Sequence, residues 1–374
     1  MTDFQSPLTV GGLTLPNRVL LAPLAGVSDI PFRRICQELG AGLTYVEMLS
    51  AVAIDYRNKR TMEMCRRHPS EQVLGVQVTG PTAESVERAV LFLEELPFDT
   101  VDINMGCSVR KVVAAGSGSG MLSDPERISA TVRGARSATG RPLTVKTRLG
   151  CTRRSISIED TARRVAVEGA DLFTVHGRTR NERYGTPVDL EGIRRGVVAA
   201  RNAVARPVVV VGNGDLFDGV AARRMRETTG CDAVMISRGA LGNPWIFREV
   251  LTGTSANPTL EEWGDVVMRH LDYQQEAYGD NELAAIRCRK HLLWYIKGYP
   301  CHKPLGEKLG LIKRIAEGRR YIREYLAEWP KDLVRFEGAH RTDSRLGPNS
   351  KYDPKYDPKH EMDRTHDRPV ADGT

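Results

Sequence analysis

The chain has 374 residues, a hydrophobic content of 41%, seven cysteines and a formal net charge of +7. No apolar run approaches the ~20 residues that a membrane-spanning helix needs, and the first residues lack the basic and apolar regions of a signal peptide. An odd number of cysteines without a CxxC pair argues against a disulfide framework and favours a reducing, cytoplasmic location.

The positive charge is concentrated in one segment. Residues 1–286 carry 34 basic and 34 acidic side chains, whereas residues 287–325 carry eleven basic side chains against three acidic ones. A concentrated basic segment on an otherwise neutral protein favours a polyanionic partner. A solvated helix face is the alternative that charge alone leaves open.

Eight apolar, β-branched runs alternate with helical patterns in the first two thirds of the chain. They are residues 19–25, 43–48, 73–79, 100–104, 143–147, 172–176, 207–212 and 233–237. Near-continuous apolar strands separated by amphipathic helices are typical of a parallel sheet covered by helices. Eight such units predict an α/β fold, a (β/α)8 TIM barrel, in a domain that spans residues 1–251.

The pattern changes after Leu251. Residues 260–278, 283–297 and 305–325 repeat apolar residues at spacings of three and four, which predicts three helices. They form a small all-α helical domain, residues 258–337, which contains the basic segment. Beyond this point the chain loses apolar residues and repeats the sequence Lys-Tyr-Asp-Pro, so a disordered C-terminal tail is expected over residues 338–374.

Polar side chains occur at the ends of most predicted strands. Active-site residues of such barrels lie at the C-terminal ends of the strands, so these side chains are predicted to meet at one mouth. They are Glu47, Gln77, Asn104, Cys107, Lys146, Arg148, His176, Arg178, Asn213, Asp215, Ser237 and Arg238.

The loops after the seventh and eighth strands predict a phosphate site. Small residues around Gly214 and after Ser237 let backbone N–H groups approach an anion, and Arg238 can pair with its charge. Tight turns without a ligand are the alternative.

Lys146 needs an anionic or electron-rich partner, because an unpaired buried ammonium is costly, and a reduced flavin is anionic along one edge.

Cys107 follows the fourth strand and precedes a glycine-rich segment, residues 114–120. A thiol is a nucleophile when its pKa is depressed and a general acid when it is not, and a small buried apolar residue is the third alternative. Because Lys146 and two phosphate loops lie across the mouth, a proton donor is favoured. The glycine-rich segment is interpreted as the hinge of a lid.

One further pattern resembles metal-ligand spacing. It consists of Cys288, His291, Cys301 and His302. His291 falls inside an amphipathic helix, so no metal site is predicted.

These motifs together resemble the tRNA-dihydrouridine synthases, most of all the bacterial B-type branch, over residues 7–325. The motifs that carry the resemblance are APLAGVSDIPFR (22–33), EM (47–48), DINMGC (102–107), VKTRLG (145–150), VHGRTR (175–180), GNGD (212–215) and ALGNPW (240–245). The chain departs from the family pattern at Ser108, where proline is usual, at Ser237, where glycine is usual, at Leu190, where tryptophan is common, and at Ser119-Gly120.

The resemblance implies an FMN enzyme that is reduced by NADPH and transfers a hydride to C6 of a D-loop uridine in tRNA, while Cys107 gives a proton to C5. It implies FMN contacts from Pro23, Leu24, Ala25, Gln77, Lys146, Asn213, Gly214, Asp215, Ser237 and Arg238, and a uracil contact from Asn104. We further predict that His176 contacts the flavin and Arg178 the substrate. The helical domain matches the family's RNA-binding module; no membrane and no stable protein partner is expected.

Two other functions stay open. One is a flavin barrel enzyme that acts on a free pyrimidine or another small molecule, against which the basic helical domain argues. The other is a catalytically inactive tRNA-binding protein, against which the retained Cys107, Lys146 and His176 argue.

Overall fold

A computed structural model describes residues 3–255 and 257–335 of the chain. Its strands are β1 (Leu8–Val10), β2 (Leu13–Leu15), β3 (Val19–Leu21), β4 (Thr44–Tyr45), β5 (Leu49–Ser50), β6 (Leu74–Thr79), β7 (Thr100–Met105), β8 (Leu143–Arg148), β9 (Leu172–His176), β10 (Val209–Asn213) and β11 (Ala233–Ile236). The expectation of a disordered tail over residues 338–374 lies outside the described residues.

Helices separate the strands and then continue alone. They are α1 (Ile30–Glu38), α2 (Ala51–Asp55), α3 (Lys59–Met64), α4 (Ala83–Glu94), α5 (Arg110–Ala114), α6 (Pro125–Ser137), α7 (Ile158–Val167), α8 (Leu190–Ala203), α9 (Gly219–Thr229), α10 (Ile246–Thr252), α11 (Leu260–Tyr278), α12 (Glu282–Tyr295), α13 (His302–Gly310) and α14 (Ile315–Glu328). Within the described ranges, no helix has the length and apolar character that crossing a lipid bilayer requires.

The sheet closes into a barrel. Its order is β3-β11-β10-β9-β8-β7-β6-β4, with β5 also on β6, and all these pairs are parallel. At the seam the Leu21 N–H donates to the Leu43 carbonyl at 2.9 Å, and the Gly42 N–H donates to the Val19 carbonyl at 2.8 Å. The predicted (β/α)8 barrel is confirmed. The first strand ends earlier than predicted, because Pro23 has no N–H to continue the ladder.

The hairpin β1–β2 covers one end of the barrel. Its residues Leu8, Val10 and Leu15 share a buried core with Leu172 and Val209, the first residues of β9 and β10. The N-terminal ends of the strands are therefore sealed, and their C-terminal ends form the open mouth.

The helices α11 to α14 pack around a second core. Trp263, Tyr295 and Ile322 belong to it, and Ile35 and Trp245 join it from the barrel side. The all-α region is confirmed, but the predicted helix over 305–325 is two helices. The carboxylate of Asp280 accepts the Ile315 N–H at 2.6 Å and so caps α14, a contact across 35 residues that no local pattern reveals. The domain limits 1–251 and 258–337 stay predictions.

A buried ion pair ties α1 to the segment before β6. Nε and Nη2 of Arg33 donate to the Glu71 carboxylate at 2.6 and 3.1 Å, and the two side chains are 2% and 0% exposed. The same carboxylate accepts the His68 N–H at 2.8 Å. Nη1 of Arg33 donates to the Ser28 carbonyl at 2.8 Å. The pair thus anchors the start of α1, and the end of the loop that leads into it, to the segment before β6.

We expect Glu71→Gln to lower the free energy of unfolding by about 3 kcal/mol, because it leaves the buried Arg33 charge without a counter-ion. Chemical denaturation measures the change. The matched control is Glu191→Gln, which breaks an exposed pair with Arg194 and should leave the unfolding midpoint almost unchanged. Equal midpoints for the two variants would contradict the expectation.

Candidate active site

The open mouth brings together the polar residues predicted at the strand ends. Asn104 on β7 lies beside Lys146 on β8, and His176 on β9 lies between Arg148 on β8 and Asn213 on β10. Neighbouring parallel strands in register thus place amide, ammonium, imidazole and guanidinium groups at one level of the barrel.

A chain of buried side chains runs from the barrel interior to Cys107. Nε2 of Gln77 donates to Oδ2 of Asp102 at 2.7 Å, and Nδ2 of Asn104 donates to Oε1 of Gln77 at 2.8 Å. Oδ1 of Asn104 accepts the N–H groups of Gly106 and Cys107 at 3.0 and 2.8 Å. Both amides are therefore held in one orientation, and the Cys107 backbone is held by Asn104.

Asp102 was missed by the sequence reasoning. Its side chain is 1% exposed and accepts hydrogen bonds from Gln77 and from the hydroxyl of Thr144. Burial raises the pKa of this carboxyl to about 6, against the lowering effect of both hydrogen bonds. An acid inside the apolar run of β7 was the available signal, because a buried carboxylate needs partners.

Lys146 is a desolvated ammonium at the mouth. Nζ donates to Oδ1 of Asn213 at 3.1 Å, and burial together with the charge of Arg148 lowers the pKa of Lys146 to about 8. An ammonium has three N–H donors. Among the described residues Asn213 is the one acceptor bonded to it, so two donors remain for a ligand.

His176 is a neutral imidazole. Burial lowers its pKa well below the usual value, and four neighbouring cations, Arg148, Lys146, Arg178 and Arg238, lower it further. Nη1 of Arg178 lies 3.4 Å from Nε2 of His176. A guanidinium can only donate, so Nε2 accepts and the ring proton is on Nδ1. His176 can therefore donate a hydrogen bond but is a poor acid.

The loop after β10 has a constrained backbone. Gly214 has a φ of 127° and Asp215 a φ of 49°. A Cβ on Gly214 would lie 2.9 Å from the Val188 side chain and 3.1 Å from the His176 ring, so glycine is required. The Asp215 carboxylate accepts from Nη1 of Arg178 at 3.0 Å and from Nη2 of Arg238 at 2.8 Å.

Arg238 has a donor without a partner. Its guanidinium stacks on Tyr184 at 4.0 Å from the ring centroid, and its buried Nη1 has no hydrogen-bond partner. Nearby, a Cβ on Gly239 would lie 2.0 Å from the Leu216 carbonyl oxygen, so the two loops are in close backbone contact. The hydroxyl of Ser237 accepts from Nδ2 of Asn213 at 3.0 Å, which accounts for a side chain at this position.

Arg178 was predicted to contact the substrate, but its side chain is buried among other residues of the mouth. Its side chain is 1% exposed, and its N–H groups are all used by Asp215, His176 and the carbonyls of Tyr184 and Thr186. It thereby holds the 184–186 loop against Asp215. A direct contact with substrate stays a prediction, and this arrangement leaves no donor for it.

The turn that contains Pro23, Leu24 and Ala25 is held from both sides of the mouth. The Gly26 N–H donates to the Glu47 carboxylate, and Nζ of Lys290, on α12, donates to the Gly26 carbonyl. The helical region thus touches the turn that is predicted to contact the cofactor.

Cys107 is half-buried, unlike five of the other six cysteines, which are buried. Its carbonyl accepts the N–H of Ser119 at 3.0 Å and the Ser119 hydroxyl at 2.8 Å. The thiol therefore sits on a backbone segment that is fixed on one side by Asn104 and on the other by Ser119.

Part of the segment interpreted as a lid hinge, residues 114–120, is packed in the interior, and the hinge stays a prediction. Residues 117–122 are buried and Gly118–Ser123 is a 3₁₀ turn. A Cβ on Gly118 would lie 2.8 Å from the Cys107 carbonyl oxygen, so this glycine permits close packing against the thiol segment. The exposed part of the loop is residues 108–111 and 114–115, on and around α5.

The chain matches the family model described as "Dihydrouridine synthase (Dus)" over residues 20–326. It is 36% identical to "Probable tRNA-dihydrouridine synthase 1" of Synechocystis over 325 residues, 85% of this chain and 89% of that protein. It is 33% identical to "tRNA-dihydrouridine synthase B" of Pseudomonas putida over 341 residues, 89% of this chain and 98% of that protein. A similar B-type protein of Pseudomonas aeruginosa is 32% identical over 330 residues, 87% of this chain and 97% of that protein.

The predicted resemblance is therefore confirmed, B-type relatives included. The family model spans the whole barrel and most of the helical region. The chain belongs to the dihydrouridine synthase family.

Proposed function

We propose that this protein reduces the C5–C6 double bond of a D-loop uridine in tRNA to 5,6-dihydrouridine, with FMN as its cofactor and NADPH as the reductant. The observation that carries the proposal is that a half-buried thiol and a set of incompletely paired cations share one barrel mouth.

The residues at the mouth fit a phosphorylated flavin. Lys146 has two spare donors, and the buried Nη1 of Arg238 has no partner. Gly214 and Gly239 allow the loops after β10 and β11 to pack closely at the mouth. Backbone N–H groups of such glycine-containing loops are typical donors to an anion. The turn Pro23-Leu24-Ala25 with Gln77, His176, Asn213, Asp215 and Ser237 would complete the cofactor contacts. Bound FMN would supply the hydride for C6.

Cys107 holds the proton that the reduction needs at C5. A neutral thiol at Sγ can act as a general acid when the reacting carbon lies within hydrogen-bond reach. The backbone of Cys107 donates its N–H to Asn104 and accepts at its carbonyl from Ser119, and these bonds would position the thiol. The Asp102–Gln77–Asn104 chain maintains the orientation of Asn104. Asn104 would also contact the uracil edge.

The helical region would bind tRNA, in a domain spanning residues 258–337. Four cations are exposed and, among the described residues, their side-chain nitrogens form no salt bridge: Lys303, Lys308, Lys313 and Arg323. Such cations bind phosphates and release counter-ions. A uridine inside folded tRNA has to leave its stack to reach the mouth, as enzymes that act on bases require. We expect the protein to act where tRNA is found, in the cytoplasm.

We expect Cys107→Ala to keep its yellow colour, FMN content and tRNA affinity but to lose at least about 100-fold in turnover, because the proton donor is removed. Mass spectrometry of dihydrouridine in tRNA from a deletion strain measures turnover. Cys301→Ala, which removes an exposed thiol, is the control. A colourless protein that FMN cannot reconstitute would refute FMN as the cofactor. Full turnover of Cys107→Ala would refute Cys107 as the proton donor. Equal activity on free uridine would favour the small-molecule alternative.

We expect the affinity of the apoprotein for FMN to fall above pH 8, approaching about tenfold per pH unit. The pKa of Lys146 is lowered to about 8, so above that pH the side chain is neutral and must take up a proton to pair with an anionic ligand. Quenching of FMN fluorescence measures the affinity. Lys146→Met should bind FMN more weakly at pH 7 and lose this dependence, whereas Lys111→Met, on exposed α5, should keep it. A slope that persists in Lys146→Met would contradict the assignment.

We expect the double variant Lys308→Gln, Lys313→Gln to bind tRNA more weakly, with a salt dependence (log K against log salt) shallower by about 1 to 2. Filter binding at several salt concentrations measures both. The control, Arg133→Gln with Arg194→Gln, removes the same charge from exposed arginines that are already paired with Glu168 and Glu191. Identical slopes for the two double variants would show that Lys308 and Lys313 do not contact tRNA phosphates.

A further inference from the structure

Three potential metal ligands meet where the barrel contacts the helical region. Asp29 is the residue that caps α1, His270 lies on α11 and His291 lies on α12. One carboxylate oxygen and one ring nitrogen from each histidine all lie within 4.8 Å of one another. The three residues come from three elements, one of the barrel and two of the helical region, so no local pattern brings them together.

Both histidines have an unused nitrogen in the interior. His270 and His291 are each 1% exposed, and Nε2 of each ring has no hydrogen-bond partner. The ring centroids are 4.8 Å apart, and the Phe32 ring lies 5.0 Å from His291. A buried polar nitrogen without a partner is costly in such surroundings, and two of them beside one carboxylate indicate a missing shared partner.

The hydrogen bonding of His270 is typical of a histidine that binds a metal ion. Its Nδ1 lies 3.0 Å from the Tyr295 hydroxyl. When Nδ1 carries the proton and donates it to this oxygen, the lone pair of Nε2 is free. Metal-binding histidines generally donate their second nitrogen to an oxygen in this way.

We propose that Asp29, His270 and His291 bind one divalent transition-metal ion of the zinc class, which joins the helical region to the barrel. Two imidazoles and one carboxylate suit zinc, with water as a fourth ligand. Ligand atoms around zinc are separated by about 3.3 Å, so no separation in the group has to shorten by more than about 1.5 Å on binding.

The proposed zinc site differs from the metal-like spacing that was noted in the sequence. His291 belongs to both, but Cys288, Cys301 and His302 are not members of the group. The expectation of no metal rested on the helical position of His291, and it took no account of Asp29 and His270. Two positive charges oppose the cation. Lys290, next to His291 on α12, donates to the carbonyl of Gly26, and Arg33 on α1 also acts on Asp29 but is paired with Glu71. The carboxylate of Glu47, bonded to the Gly26 N–H, offsets the charge of Lys290.

Metal analysis of the full-length protein, purified with its FMN and without a histidine tag or a chelator, tests the proposal. After dialysis against zinc and removal of the free ion, we expect about one equivalent of zinc in the unsubstituted protein. We expect cobalt, taken up instead, to give visible d–d bands. Zinc should raise Tm by about 5 °C, and a chelator should reverse the shift.

Two variants and one control make the test specific. Asp29→Asn keeps the side-chain oxygen that accepts the Phe32 N–H and so keeps the cap of α1, but it removes the charged ligand. His291→Gln removes a ring nitrogen. Both should lose most of the zinc and the Tm shift, whereas His302→Gln, outside the group, should retain both.

Retention of zinc by Asp29→Asn would overturn the proposal even if His291→Gln does not fold. Absence of zinc, cobalt bands and a Tm shift in the unsubstituted protein would also overturn it. Neither result depends on whether the protein reduces uridine.

Discussion

The hydrogen bonds that Oδ1 of Asn104 accepts from the backbone N–H groups of Gly106 and Cys107 are the constraint on which the mouth depends. They work because Asn104 cannot rotate: its Nδ2 is bound to Gln77, which is bound in turn to the buried Asp102. The buried carboxyl of Asp102 thereby determines how the side-chain amides of Gln77 and Asn104 are oriented at the mouth. A polar network of this kind specifies one arrangement only when every member is satisfied, and here each link has a partner.

The mouth has more positive charge than its own acids balance. Arg178 and Arg238 share one carboxylate, that of Asp215, and Lys146 and Arg148 lie nearby beside a neutral His176. Burial, followed by the charge of Arg148, lowers the pKa of Lys146. An anionic ligand would relieve the excess of positive charge, so binding and stability are expected to be coupled at this end of the barrel.

The sequence was sufficient for the features that repeat locally. Alternating strands and helices predicted the barrel, and the strand ends predicted the mouth, because both follow from short-range periodicity. Contacts between distant residues were not accessible. Asp102 with Thr144, Arg33 with Glu71, and Asp280 with Ile315 are each 35 to 42 residues apart. The close packing around Gly118 was not accessible either, because a glycine needed for close packing and one needed for flexibility look alike in a sequence.

The hydrogen bonding between neighbouring strands is not uniform around the barrel. Strands β9 and β10 pair over five residues, whereas the seam between β3 and β4 is closed by the single bridge of Leu20 with Leu43 and its two flanking hydrogen bonds. Local unfolding of a protein starts where the fewest hydrogen bonds have to break. The amides at this seam should therefore exchange with solvent first. The turn after β3 and the Glu47 that holds it lie at its two edges, so a fluctuation of the barrel wall would reach the mouth at that place.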